Sequence, residues 1–300
     1  MTDGVTDHDV LVLGGAGVDT IVYVPELPLP YADSYMVPAI QSRAGQTGDL
    51  VSLGLAALGL RTHHLDVLGD DREGDLVREL HERHGVGLTT VPSPAGTKRA
   101  VNLVDPEGRR LSLYDVSRGD ADDRFPEDLI AKLAGASRHV HVSITHPGAL
   151  ALPTIVDSGV TISTDLHNWD GENPYHLGFA EHADIIFLSA TALADPEAAQ
   201  RDLLARGRAR AVIATAGSAG AFLLTRDSSR VRHQPALVPP APVVDSNGAG
   251  DAFVTGFLFG LLNGSDWDTC LRYGAVAGAF ACTVPSARME FVTAATLLAS

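Results

Sequence analysis

The run Val243-Val244-Asp245-Ser246-Asn247-Gly248-Ala249-Gly250-Asp251-Ala252-Phe253 brings a carboxylate and two glycines into one turn. A β-prone stretch enters it and an apolar helix leaves it. Glycines at 248 and 250 let successive backbone N–H groups converge on one point, and the start of a helix adds about half a positive charge there. Such a turn suits an anion, in particular the charge that builds on a phosphoryl group passing between two oxygens. Asp251 falls in the first helical turn, where its carboxylate is able to take the proton of an attacking hydroxyl. The plainer alternative is a helix start in which Asp251 is only a stabilising first-turn acid.

Other chemistries are excluded or weaker. Lysine occurs only at Lys98 and Lys132. No G-x-x-x-x-G-K-[ST] run exists, which excludes a P-loop, and the strand lysine and catalytic loop of protein kinases are absent. Cys270 and Cys282 lie in apolar helical sequence and read as reduced thiols. His139, His141, His146, His167, His176 and His182 crowd one stretch, and the first two share a strand face. With no Cys or H-E-x-x-H beside them, local hydrogen bonding is a better reading than a metal. His167 and Asn168 follow the carboxyl end of a strand and are candidates for a cleft. Asp70-Asp71 reads equally as a solvated acidic turn or a functional one.

The elements that must position these residues alternate. Strands are expected at 10–13, 64–68, 140–144, 160–164, 184–188 and 211–215. Helices are expected at 48–59, 73–83, 196–206, 252–262, 267–282 and 289–298. This rhythm predicts an α/β fold: a mostly parallel sheet with helices on both faces. Two stretches break it. Residues 21–40 mix β-prone runs with Pro25, Pro28, Pro30 and Pro38, while 99–104 and 110–114 flank the turn Asp105-Pro106-Glu107-Gly108. Both are expected in one small antiparallel sheet projecting from the core.

The whole is expected to be one domain over residues 1–300, of which 45% are hydrophobic. A net charge of −15 argues against nucleic acid and anionic lipid as partners. The acidic residues 1–9 lack the apolar core of a signal peptide, and the apolar runs are too short to cross a bilayer. A cytoplasmic protein is expected.

Asp-Ser-Asn-Gly-Ala-Gly-Asp-Ala-Phe at 245–253 resembles the C-terminal signature of the ribokinase-like (PfkB) carbohydrate kinase family, D-T-x-G-A-G-D. Four further runs resemble family motifs in the right order. Gly14-Gly15-Ala16-Gly17-Val18-Asp19 is similar to the opening segment, and Ala44-Gly45-Gln46-Thr47-Gly48-Asp49 to the G-G-x-x-x-N substrate loop. Gly69-Asp70-Asp71-x-x-Gly74 is similar to G-x-D-x-x-G, and Thr215-Ala216-Gly217-Ser218-Ala219-Gly220 to the nucleotide turn T-x-G-x-x-G.

The resemblance implies a ribokinase-like three-layer α/β/α domain with a β-sheet lid formed by about 18–40 and 98–115. It implies transfer of the ATP γ-phosphoryl group to a hydroxyl of a sugar, with Mg²⁺ and a monovalent cation such as K⁺ as cofactors. Asp251 would be the base, and the amides of Gly248, Ala249, Gly250 and Asp251 the anion hole. Asp19, Gly45, Gln46, Asp49 and Asp165 would face the substrate; Thr215, Gly217, Gly220, Asn247 and Ser189 the nucleotide. Relatives pair through the lid, so a homodimer is expected.

The chain departs from the family pattern in places. Ala44 replaces the first glycine of the substrate loop and Asp49 its asparagine. Where relatives carry N-x-x-E for the magnesium shell, this chain has Ser189-Ala190-Thr191-Ala192, which leaves the metal's protein ligands unknown. Asp165-Leu166-His167-Asn168-Trp169 keeps only the aspartate of D-P-N-x-R. The alternatives are a nucleoside kinase, and a catalytically silent sugar-binding regulator on the same fold.

Overall fold

Val10, Leu11, Val12 and Leu13 are all wholly buried, as expected of a strand covered on both faces. The computed structural model describes residues 6–119, 121–244, 246–285 and 288–300. In chain order the first elements are β1 (His8–Leu13), β2 (Val18–Tyr23), β3 (Ile40–Ala44), α1 (Thr47–Ala57), β4 (Thr62–Leu68) and α2 (Arg72–His84). Then come β5 (Gly87–Pro92), β6 (Arg99–Val104), β7 (Arg110–Tyr114), α3 (Glu127–Gly135), β8 (Ser137–Val142), α4 (His146–Asp157) and β9 (Thr161–Asp165). Next are α5 (Pro174–His182), β10 (Ile185–Ser189), α6 (Pro196–Arg206), β11 (Ala211–Thr215), β12 (Ala221–Thr225) and β13 (Arg232–Gln234). The last are α7 (Ala249–Leu262), α8 (Trp267–Ala281) and α9 (Ala294–Leu298).

Nine strands form the larger sheet in the order β13-β12-β11-β10-β9-β8-β1-β4-β5. From β5 to β11 the pairings are parallel; β12 and β13 close one edge antiparallel. Successive side chains of a strand point to opposite faces, which builds three layers. Leu11 and Leu13 join the core under α3 to α6, and Val10 and Val12 the core under α1, α7 and α8. Helix α7 is buried from Phe253 to Gly260 because it is sandwiched this way.

The second sheet has the order β3-β2-β6-β7. Strands β2, β6 and β7 come mainly from the two stretches that break the alternation, whereas β3 lies beyond 21–40 except for Ile40, and the sheet is mixed rather than antiparallel. Strands β2 and β6 pair parallel, with Asp19 opposite Ala100. The chain passes through β4, α2 and β5 between them, and such a crossover returns the second strand in the same direction. The proline-rich part of 21–40 lies outside the strands, because proline offers no N–H to a ladder. The helix expected at 289–298 is only Ala294–Leu298, since Met289 adopts φ 53° and Thr293 caps a later start.

Candidate active site

Gly248 adopts φ 81° as N-cap of α7, and Asp251 sits in the first turn. The N–H of Ala249 is already given to the Ser246 carbonyl at 3.2 Å, and Ala249 does not line the cavity. Of the four amides expected to form an anion hole, that of Ala249 is taken by the turn, while Gly248, Gly250 and Asp251 line the cavity. No heavy atom lies within 4 Å of where a Cβ on Gly250 would stand. Nothing in the chain's own packing requires that glycine, and the space opens into the cavity. Asp245, part of the same run, lies outside the described residues.

Two cavities meet at Asp251. The larger, 460 Å³, is lined by the carboxyl ends of β9, β10 and β11 and by Ser246, Asn247, Gly248, Gly250 and Asp251. This is where open α/β sheets bind ligands. The smaller, 250 Å³, lies between residues 45–47 and the four-stranded sheet. The two-residue period of β2, β6 and β7 turns Asp19, Asn102, Arg110 and Tyr114 towards it. Arg110, His167, Asn168, Asn247 and Asp251 line both cavities.

Asp251 accepts a hydrogen bond from the Thr47 hydroxyl at 2.6 Å. Burial pushes its carboxyl up to about 6, against the pull of His167 and Thr47. A carboxylate so placed titrates near neutrality, as a general base should. In the smaller cavity Gln46 donates to Asp19 at 2.9 Å, and Arg43 lies 3.9 Å from the same carboxylate. Burial raises the Asp19 pKa, with Arg43 and Gln46 opposing it. Gly45 also lines this cavity.

Asp165 lies at the end of β9 and accepts from the His167 backbone N–H at 2.8 Å. Burial works against its charge, but His167 outweighs burial and its pKa is lowered. It faces the larger cavity, away from the site of Asp19. Asp165, expected to face the substrate, thus stands with Ser189 and Thr215 in the larger cavity and not beside Asp19 in the smaller one.

Of the residues expected to face the nucleotide, Ser189, Thr215 and Asn247 line the larger cavity, whereas Gly217 and Gly220 do not. Gly220 has a structural reason: a Cβ there would stand 2.1 Å from the Gln234 carbonyl oxygen across the β12–β13 hairpin. The hydroxyls of Ser189 and Thr191 are 2.9 Å apart and, with Thr215, Ser246, Asn168 and Asn247, offer neutral oxygen donors to this cavity. Such donors fit Mg²⁺ that arrives with phosphate and water ligands.

Asp49 does not face a substrate. It is wholly buried, accepting from the backbone of Gly17 (3.2 Å) and Gln46 (3.0 Å) and bonding His81 at 2.8 Å. Its position in the first turn of α1 turns it inward, under the loop that carries Gln46. Asp49, His64 and His81 form the buried His–carboxylate cluster among the described residues. His139 and His141 instead both bond the Ser163 hydroxyl, at 2.7 and 2.8 Å, and burial pushes them down to about 3 and about 4. They are neutral structural residues. Asp71 caps α2 through Gly74 at 2.9 Å and holds Thr97 and Arg118.

Sequence reasoning missed Thr47, Asn102, Arg110 and Tyr114. Thr47 stands within the 44–49 run but was given no role there; the other three belong to no motif, and only strand alternation inside an assembled sheet brings them together.

The model of pfkB family carbohydrate kinases matches residues 7–293. The acarbose 7(IV)-phosphotransferase of Actinoplanes sp. strain SE50/110 is 61% identical over 290 residues, covering 97% of each chain. A solved microbiome-derived acarbose kinase is 45% identical, with a TM-score of 0.90 over 98% of this chain and 99% of that one. Arabidopsis thaliana ribokinase, solved with ribose and ATP, shares the fold with a TM-score of 0.81 at 21% identity, over 97% of this chain and 98% of its own. With the α/β architecture and the glycine turn in place, the chain belongs to the pfkB family of carbohydrate kinases and is an ATP-dependent sugar kinase.

Proposed function

We propose that the enzyme phosphorylates a primary hydroxyl of a saccharide related to acarbose, using Asp251 as base. The single observation that carries this reading is that Asp251 lines both cavities at the start of a buried helix. The sugar occupies the smaller cavity, with Asp19, Gln46 and Asn102 as hydrogen-bonding partners and Tyr114 as an apolar wall. ATP occupies the larger one, its phosphates towards the amides of Gly248, Gly250 and Asp251. Mg²⁺ bound to those phosphates would offset their charge, with Ser189 and Thr191 as oxygen donors near it.

Asp251 takes the hydroxyl proton as the sugar oxygen attacks the γ-phosphorus, and the bond to the bridging oxygen breaks with its electrons leaving on ADP. The four-stranded sheet serves as a lid that covers the sugar and excludes water. Its other face carries Leu111 and Leu113, each about half exposed, on which a second copy would pair. Light scattering tests that pairing.

The locant in the name of the Actinoplanes relative puts its acceptor on a fourth unit. An acceptor of that kind enters the 250 Å³ cavity by one terminal ring. ATP turnover on acarbose, linear and cyclic sugars, sugar phosphates and nucleosides tests this, with the product position read by ³¹P–¹H NMR. Turnover on nucleosides alone would replace the saccharide by a nucleoside.

A further inference from the structure

Tyr114 lines the smaller cavity and is nonetheless 71% exposed. Among the described residues its ring stacks on no other ring and its hydroxyl has no hydrogen-bond partner. The strand register places it. Arg43, Asp19, Ala100 and Tyr114 stand opposite one another across β3, β2, β6 and β7, and the members of such a row share one face of the sheet. Leu113, the neighbour of Tyr114 along β7, turns to the other face.

Two lengths set the ring apart from the reacting end. Along β7, Arg110 lines both cavities, whereas Tyr114, four residues on, lines only the smaller one. Four strand residues span about 13 Å. Across the row, Tyr114 is two strands from Asp19, about 10 Å. A sugar hydroxyl must meet Asp251 at the seam, so the phosphorylated ring bridges Asp251 and Asp19, and Tyr114 lies off that line by both measures.

The polar groups are held for that first ring. Gln46 donates to Asp19 at 2.9 Å, and the Ser112 hydroxyl donates to the Asn102 oxygen at 2.6 Å. Beyond them the row offers an aromatic face instead of another polar group. The C–H face of a sugar ring is apolar, and a tyrosine ring, with only two torsions to fix, covers such a face at small entropic cost.

We propose that Tyr114 is a specificity-determining residue, whose ring face carries the sugar unit next to the phosphorylated one. The enzyme thereby selects acceptors of two or more linked rings over single rings. This rests on the reading of the acceptor as a saccharide related to acarbose.

The test uses the whole enzyme with ATP and acarbose. Tyr114→Ala should raise the acarbose KM about 3–10-fold, the worth of one aromatic face, with kcat held within about twofold. Tyr114→Phe should keep the wild-type KM. A second readout is saturation-transfer NMR of acarbose on the ADP complex. Protons of its third unit should be strongly saturated in wild type and Tyr114→Phe, and should fade relative to those of the fourth unit in Tyr114→Ala. An unchanged KM in Tyr114→Ala overturns the proposal. So does a Tyr114→Phe enzyme as weak as Tyr114→Ala, or a saturation pattern that Tyr114→Ala does not alter. If the wild type phosphorylates nucleosides and not acarbose, the acceptor reading fails and this inference falls with it. An enzyme active on acarbose but indifferent to Tyr114→Ala sinks the inference alone.

Discussion

The Thr47 hydroxyl donates to Oδ1 of Asp251 at 2.6 Å across 204 residues of chain. The starts of α1 and α7 meet at this bond, and the loop that carries Gln46 is thereby coupled to the proposed base.

Asp251→Asn should fold and be nearly inactive. Loss of a general base costs about 10²–10⁴-fold in kcat with little change in KM. Its stability effect has the opposite sign. The folded pKa of about 6 exceeds the ordinary 3.8, so this group's contribution is full below 3.8 and is lost as pH rises through 6. At pH 7.5 the ionised carboxylate therefore destabilises the fold, by about 1–2 kcal/mol once partial solvation is allowed for. Calorimetry at pH 7.5 should show the Asn variant melting level with wild type or about 1–3 °C higher.

Thr47→Val keeps the shape and removes the donor. The bond holds the Asp251 pKa down, so its loss should move the acid limb of kcat upward by about one pH unit. Rates at pH 6.5 should then fall several-fold more than at pH 8.5. An unshifted acid limb would show that the hydroxyl does not tune the base.

Asp19→Ala should raise the sugar KM by about 10–100-fold, the worth of a charged hydrogen bond. ATP binding, measured by calorimetry without sugar, should hardly change, because Asp19 lines only the smaller cavity. Equal loss of both affinities would make Asp19 a structural residue.

Asp49→Ala leaves the Gly17 and Gln46 amides and His81 without their acceptor. Breaking a buried, fully bonded carboxylate costs about 3–5 kcal/mol. A clear fall in Tm is expected, with a raised sugar KM because Gln46 loses its anchor. An unchanged Tm would contradict a brace beneath the loop.

Local signals within a few residues were readable before any fold was known. The glycine turn and Asp251 share one stretch of eleven residues, so their geometry follows from turn and helix-start chemistry. Strands such as 211–215 were legible because a strand buried on both faces is written as a continuous apolar run. The small sheet was legible in part, since β3 lies almost wholly beyond the expected stretch, and its pairing was not: whether β2 and β6 run parallel depends on the path between them, which no local pattern encodes.

The site's remaining parts were decided by tertiary structure alone. Arg110 bonds Asn247 across 137 residues, and an arginine in a surface hairpin carries no signal of that partner. Asp49 and Asp19 looked alike as motif acids, yet one is sealed beneath the loop and the other opens to a cavity. Helix α1 packs on both sides, against α7 and near α2, so its sequence periodicity marks no solvent face to tell in from out. Local chemistry follows from neighbours along the chain, but burial, charge and pKa depend on groups that only folding brings near.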